Sequence, residues 1–202
     1  NMTKKDYSKW DRYKLIKEIE QLHNRKKYGL VWEDKPEDVV EQCKELLPVL
    51  VEVEKKIIEK EANKSTNLII EGDNYHSLSV LSYTHAGKID VIYADPPYNT
   101  GAKNWIYNNN YVDGNDTFRH SKWLSFMEKR LRLARSLLKT DGIIVITIDD
   151  YEVATLTLLM NEIFGEENHL GTVVIKNNPQ GRSSVSGFQI SHEYALFYGR
   201  TP

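Results

Sequence analysis

The sequence predicts an α/β fold: an open, mainly parallel sheet with helices packed on it, preceded by a helical hairpin. Three observations predict it. From Asn67 onward, short apolar runs of strand type alternate with segments of helical period. One of those runs, Ile89–Ala94, stops at Asp95-Pro96-Pro97-Tyr98 and turns at Asn99-Thr100-Gly101. A carboxylate and an aromatic ring therefore sit at the carboxyl end of a strand, where open α/β sheets bind ligands. Before Asn67 the pattern is helical and carries no strand signal.

A helical arm is expected over residues 1–62. Ser8 is placed to cap a first helix, with Asp11 three positions on as a capping box. Leu15, Ile19 and Leu22 then share a face, Arg25, Lys26 and Lys27 suit the carboxyl end of the helix dipole, and Gly29 can stop the helix. Asp34-Lys35-Pro36-Glu37 opens a second helix, since proline is tolerated in a first turn. Val39, Cys43, Leu46, Leu50, Val53 and Ile57 recur at alternating spacings of four and three, a seam suited to another helix, with a kink at Pro48. The arm is expected to pack on the α/β part or on a second subunit. Residues 59–66 read as a polar linker.

In the α/β part, residues 68–71 read as a short strand ending in Gly72-Asp73, and Tyr75 to about Thr84 as a helix. The strand Ile89–Ala94 is followed by a long loop over 95–118. A helix from about Ser121 to Leu138 puts Trp123, Met127, Leu131, Ala134 and Leu138 on one face. Residues 139–142 turn into the strand Ile143–Ile148, and Asp149-Asp150 caps a helix reaching about Phe164. Residues 171–176 and 193–198 are strands near enough in sequence to pair antiparallel. The Ser/Gly/Asn-rich segment between them is a loop.

Bulk properties exclude several classes. The chain has 202 residues, 40% hydrophobic and 28% charged, with a net charge of −2. It is not a basic nucleic-acid glove as a whole: if it touches DNA, the positive charge is expected to be local or to lie on a part outside these residues. Cys43 is the only cysteine, which excludes an intrachain disulfide and a cysteine-rich zinc site, and the six histidines lack metal-ligand spacing. No run approaches the ~18 apolar residues of a membrane span. The first residues hold no apolar signal core, so a cytoplasmic protein is expected.

Asp95-Pro96-Pro97-Tyr98 with Asn-Thr-Gly following resembles the signature of amino-methyltransferases. It is most similar to the adenine-N6 DNA methyltransferases, especially the modification subunits of type III restriction–modification systems. Gly72-Asp73, Gly-Ile-Ile-Val-Ile-Thr-Ile-Asp-Asp over 142–150 and His192-Glu193-Tyr194-Ala195-Leu196-Phe197-Tyr198 resemble, in order, other segments of that family. The resemblance covers about residues 67–198. It implies a class I methyltransferase (Rossmann-like) sheet with helices on both faces, S-adenosylmethionine as cofactor, double-stranded DNA as substrate and a possible restriction subunit as partner.

The resemblance gives the tetrad a physical reading. The amino nitrogen of adenine is a poor nucleophile because its lone pair is delocalised into the ring. Two fixed acceptors, the Asp95 carboxylate and the Pro96 carbonyl, would take both N–H bonds and favour a pyramidal nitrogen. Pro97 has no N–H and restricts the backbone of Pro96. Tyr98 offers a flat face for the base, worth roughly 1–3 kcal/mol in stacking. Catalysis would be mostly orientation and electrostatic stabilisation. Asp95 also faces the cofactor, and the family pattern implies that Asp73 reaches its adenosine, although Asp73 reads equally well as a helix cap. His192-Glu193 would support the base pocket.

A base inside a duplex must be flipped out to reach such a pocket. Asn99, Trp105 and Tyr107 are the expected DNA contacts beside it. Arg119 and Lys122 are expected at phosphates, at the amino-terminal end of a basic segment that continues through Lys129, Arg130, Arg132 and Arg135 as a solvated helix face. Arg182, in the Ser/Gly-rich loop, is a further phosphate candidate.

No Phe-x-Gly-x-Gly stretch occurs in the sequence. Residues 67–202 are therefore expected to be the N-terminal part of a catalytic domain whose cofactor glycine loop and target-recognition region lie elsewhere. By themselves they would be inactive and would not bind S-adenosylmethionine tightly. The Asp95 strand would lie at an unpaired edge, inviting self-association through that edge or the arm. Asp95 at the first tetrad position favours adenine over cytosine-N4 methylation, where serine is usual. The alternatives are a cytosine-N4 enzyme and a non-catalytic, partner-binding fragment.

Overall fold

The computed structural model describes residues 8, 10–25, 30–34, 36–58, 67–100, 119–177 and 190–202. The elements run α1 (Arg12–Arg25), α2 (Asp38–Glu45), α3 (Asn74–Thr84), β1 (Ile89–Ala94), α4 (Arg119–Leu137), β2 (Leu138–Ile148), α5 (Val153–Phe164), β3 (His169–Lys176) and β4 (His192–Gly199). The strands form one sheet in the order β1-β2-β4-β3. β1 and β2 are parallel and joined through α4, while β4 runs antiparallel to both β2 and β3. This is the open α/β sheet that the alternating pattern predicts, but it is mixed rather than mainly parallel: β1–β2 is the parallel pair, and both pairings of β4 are antiparallel.

β2 is the centre of the molecule. Ile144, Ile146 and Ile148 are fully buried, and Val145 and Thr147 between them are buried too. A strand covered on both faces reads as a continuous apolar run, as Ile-Ile-Val-Ile-Thr-Ile does. α4 sets Trp123, Met127, Leu131 and Ala134 into the same core, and α5 adds Leu156, Leu159, Met160 and Ile163. Residues 139–142 form no separate turn. They bulge within β2, so that Ile89 pairs Leu138 but Val91 already pairs Ile143. A Cβ on Gly142 would lie 2.9 Å from the Ile89 carbonyl oxygen, so the close approach of β1 requires glycine there.

β1 is an edge of the sheet, with Val91 and Tyr93 exposed. Among the described residues no other strand pairs with it.

Residues 68–71 are not a strand. Leu68 and Ile69 are exposed, and among the described residues no strand pairs with the segment to take its backbone groups. Sequence pattern alone records an apolar alternation, whereas a strand also needs a neighbour.

The arm differs from expectation in three ways. Asp11, rather than Ser8, opens α1: its Oδ1 accepts from the Lys14 N–H at 2.8 Å. α2 ends at Glu45 instead of kinking at Pro48. Leu46 is already extended, and the ring of Pro48 disfavours helical geometry at Leu47, the residue before it, so the helix does not resume. The apolar seam is consequently laid out along an extended chain, with Leu46, Leu50, Val53 and Ile57 exposed.

The packing of the arm on the α/β part is real and specific. Trp32 is buried in the main core. Ser125 Oγ donates to the Glu33 carbonyl at 3.2 Å, and Arg130 reaches Glu37 Oε2 at 2.9 Å. Lys129 lies 3.4 Å from Asp34. The basic segment of α4 is a solvated face only in part: Arg132, which pairs with Glu128 and Glu162, and Arg135 are exposed, whereas Arg130 is buried.

Candidate active site

β1 and β2 run parallel and β4 runs against β2, so the carboxyl ends of the first two meet the amino end of the third. Ala94 pairs Ile146, and Ile148 pairs Tyr194. Asp95, Tyr98, Thr147, Asp150, His192 and Tyr194 are therefore gathered at one end of the sheet. The strand-end location of the tetrad follows directly from β1 stopping at Ala94.

Each side of the Asp95–Tyr98 turn is tied to a neighbouring element. Thr147 Oγ1, buried on β2, donates to Asp95 Oδ1 at 2.7 Å. That bond fixes the rotation of the carboxylate, and Asp95 itself is exposed. The indole of Trp123, fully buried on α4, donates from Nε1 to the Pro97 carbonyl at 2.7 Å. Among the described residues the Pro96 carbonyl accepts no hydrogen bond. The Asp95 carboxylate and the Pro96 carbonyl are thus the acceptors the turn leaves for a ligand.

Tyr98 is half-buried, with its ring against the core. Its phenol is pushed up to about 12, chiefly by burial, while Thr147 opposes and the Asp95 and Glu193 carboxylates reinforce the shift. The ring is a neutral phenol over the physiological range. Behind it, Tyr194 donates to Asp150 Oδ1 at 2.8 Å, and the His192 Nε2 lies 2.9 Å from the Tyr194 hydroxyl. Asp150 holds the Tyr194 phenol above its usual range.

Asn99 is not exposed toward a nucleic acid. It is buried at 5% exposure, takes a left-handed backbone (φ 55) and donates from Nδ2 to the Glu152 carboxylate. A short amide side chain tolerates that conformation, so the residue anchors the turn from inside. Asp73 serves as the N-cap of α3, accepting from the Tyr75 N–H at 2.7 Å, and its Oδ1 lies 3.7 Å from Arg130. The cap is the role the structure displays for it. Arg119 and Lys122 stand in the first turn of α4, both half-buried. Trp105, Tyr107 and Arg182 lie outside the described residues, as do Tyr111, Asn104 and Asn108–Asn110. Among the described residues no cluster of His, Cys, Asp and Glu could hold a metal ion, and no helix is long and apolar enough to cross a membrane.

Thr147, Trp123 and Glu152 were not legible as site residues. Each lies far from the tetrad in sequence and is found only through the pairing of β1 with β2 and the crossover of α4.

Residues 89–202, more than half of the chain, match the N6/N4 methyltransferase family, described as DNA methylase. The chain belongs to that DNA methylase family. It is 42% identical over 140 residues to the type II methyltransferase M.KpnI of Klebsiella pneumoniae, covering 69% of this chain and 34% of that one. It is 37% identical over 164 residues to the Mod subunit of the type III restriction-modification enzyme EcoP15I of Escherichia coli, covering 69% of this chain and 25% of that one. The chain therefore spans about a third or less of these curated relatives. Among solved structures, the putative DNA modification methylase TTHA0409 of Thermus thermophilus, complexed with S-adenosyl-L-methionine, is similar with a TM-score of 0.47 at 13% identity. That similarity covers 65% of this chain and 52% of that one. The Asp-Pro-Pro-Tyr turn lies within the region that matches the family.

Proposed function

We propose that this DNA methylase chain holds the base-binding half of a site that transfers a methyl group from S-adenosylmethionine to the N6 amino group of a flipped adenine in double-stranded DNA. The observation that supports it is the turn at the end of β1. Thr147 orients the Asp95 carboxylate, Trp123 occupies the Pro97 carbonyl, and the Pro96 carbonyl is left as the second acceptor. An amino group placed there gives both hydrogens to fixed acceptors and presents its lone pair away from them. Fixed acceptors aimed at developing positive charge need no reorganisation during the reaction.

S-adenosylmethionine supplies an electrophilic methyl group when bound. On this chain the exposed Asp95 stands at the strand end where such a ligand would meet the base, and Asp73, whose Oδ1 caps α3, keeps Oδ2 for the cofactor's adenosine. The Asp95 carboxylate stabilises the ammonium formed on transfer, and the surplus proton leaves afterwards. Tyr98, a neutral ring half-exposed beside Asp95, supplies the stacking face. Arg119 and Lys122 contact phosphate on the flank, with Trp105, Tyr107 and Arg182 as further DNA contacts. Asp95 at the head of the tetrad supports adenine over cytosine.

The likeness to type III Mod subunits extends the reading to partners and place: a cytoplasmic enzyme that modifies DNA beside a restriction subunit. Self-association through the exposed β1 edge is part of the same proposal, since its backbone groups can pair with another chain. Sedimentation of the wild-type chain against a Tyr93→Pro variant checks it. The methyl-transfer reading is tested by digesting treated DNA and identifying the methylated base by mass spectrometry.

A further inference from the structure

Glu152 is the acid that the methyl-transfer reading does not use. It is fully buried, which costs a carboxylate several kcal/mol unless hydrogen-bond donors surround it. It stands at the N-cap position of α5, yet its side chain makes no cap hydrogen bond. A serine or aspartate would serve a cap there at lower cost. One carboxylate oxygen stays with its own helix, and the other reaches two other elements. Oε1 accepts from Asn99 Nδ2 and, at 2.6 Å, from His120 Nδ1, while Oε2 accepts from Thr155 Oγ1.

Two of those donors carry the argument. Asn99 directly follows Tyr98 and is the only non-glycine residue with positive φ among the described residues. Its Oδ1 is buried with no hydrogen-bond partner among them, so the side chain is held by Nδ2 and Glu152 alone. His120 opens α4, the helix whose Trp123 fixes the Pro97 carbonyl. The bond to Glu152 puts the His120 proton on Nδ1 and leaves Nε2 as the acceptor of the Arg119 Nε–H at 3.3 Å. One carboxylate thus ties the turn after the tetrad to the end of α4 that carries Arg119.

We propose that Glu152 is a positioning residue for methyl transfer. Through Asn99 it holds the left-handed turn that aims the Tyr98 ring and the Pro96 carbonyl. Through His120 it holds the first turn of α4 against that turn. The proposal rests on the methyl-transfer reading of the site. Asp95 is oriented by Thr147 from a different strand, so loss of Glu152 leaves that acceptor in place and loosens the other.

The test uses the whole protein, tritiated S-adenosylmethionine and unmethylated phage DNA. Glu152→Ala is expected to lower kcat by about 10- to 100-fold while KM for DNA stays within about twofold. Glu152→Gln, whose amide oxygen still accepts from Asn99, is expected to recover most of kcat. Asn99→Gly keeps the left-handed turn but removes the amide, and should itself lower kcat, so the inference stands on this variant if Glu152→Ala does not fold. Combined, Glu152→Ala and Asn99→Gly should cost little more than Glu152→Ala alone.

A Glu152→Ala enzyme with wild-type kcat overturns the proposal. So does a Glu152→Ala effect confined to KM or to melting temperature, or a pair of effects that multiply. Variants are read as ratios to wild type. A wild type that leaves adenine unmethylated instead overturns the methyl-transfer reading itself.

Discussion

Thr147 Oγ1 donates a 2.7 Å hydrogen bond to Asp95 Oδ1, from the central strand to the residue just beyond the edge strand. The pairing of Ala94 with Ile146 puts the two residues abreast. Because Thr147 is buried in packed surroundings, the hydroxyl cannot swing away, and the carboxylate inherits that rigidity.

Thr147→Val keeps the shape and deletes the donor. A hydrogen bond to a charged group contributes about 1.5–3 kcal/mol, so kcat is expected to fall by roughly 10- to 100-fold. Melting temperature should change by only a few degrees. Steady-state kinetics beside a thermal melt checks both.

Trp123→Phe removes the indole N–H that holds the Pro97 carbonyl while keeping most of the buried ring. Stability should drop by about 1–3 kcal/mol, the sum of a lost buried hydrogen bond and a small cavity. Urea unfolding measures it. Methyl transfer should fall further than Thr147→Val alone when the two changes are combined, because they act on different parts of the turn.

Arg130 ties three elements together: Glu37 of the arm, the Asp73 cap of α3, and the Phe126 ring of its own helix, over which its guanidinium lies at 3.6 Å. Arg130→Ala leaves Glu37 largely buried with, among the described residues, Lys129 at 3.7 Å as its cationic neighbour. Removing one member of a buried pair costs about 3–5 kcal/mol, and the lower end is expected here. Limited proteolysis should then cut within residues 30–45 well before the core.

The phenols of Tyr98 and Tyr198 are both raised to about 12, chiefly by burial. Below about pH 10 each phenol is protonated in the folded and the unfolded chain alike. As pH rises toward 12, the unfolded chain gives up protons the folded chain keeps, so stability falls. Melting temperature should therefore decline between pH 10 and 12, and Tyr98→Phe should flatten part of that decline. Activity should show no step near pH 10 from Tyr98.

Much of this architecture is legible in the sequence, and the exceptions share a cause. Residues 143–148 read as a strand because a fully covered strand needs an unbroken apolar run, and Ile89–Ala94 reads as one because its short apolar run stops at Asp95-Pro96. The face Trp123, Met127, Leu131 and Ala134 reads as a core face because helical period leaves no other choice. Residues 68–71 carry the same alternation without a neighbouring strand, and pattern cannot supply a neighbour. The apolar positions from Val39 to Ile57 satisfy a helical seam, but Pro48 ends α2 instead of bending it. In the site, Asp95, Pro96 and Tyr98 are adjacent in sequence and announce themselves. Thr147, Trp123 and Glu152 act on them from two other strands' and helices' lengths away, so only folding brings them in. Asn99 shows the same limit, since nothing in Asn-Thr-Gly reveals that its amide points inward.

In the proposed site, Asp95 and the Pro96 carbonyl hold the amino group of an adenine. The most direct test is nucleoside mass spectrometry of unmethylated DNA incubated with the whole protein and S-adenosylmethionine, run beside an Asp95→Ala variant. N6-methyldeoxyadenosine is expected with the wild type, and a loss of at least about a hundredfold with Asp95→Ala. N4-methyldeoxycytidine as the product, or N6-methyldeoxyadenosine undiminished in the variant, would contradict the proposal.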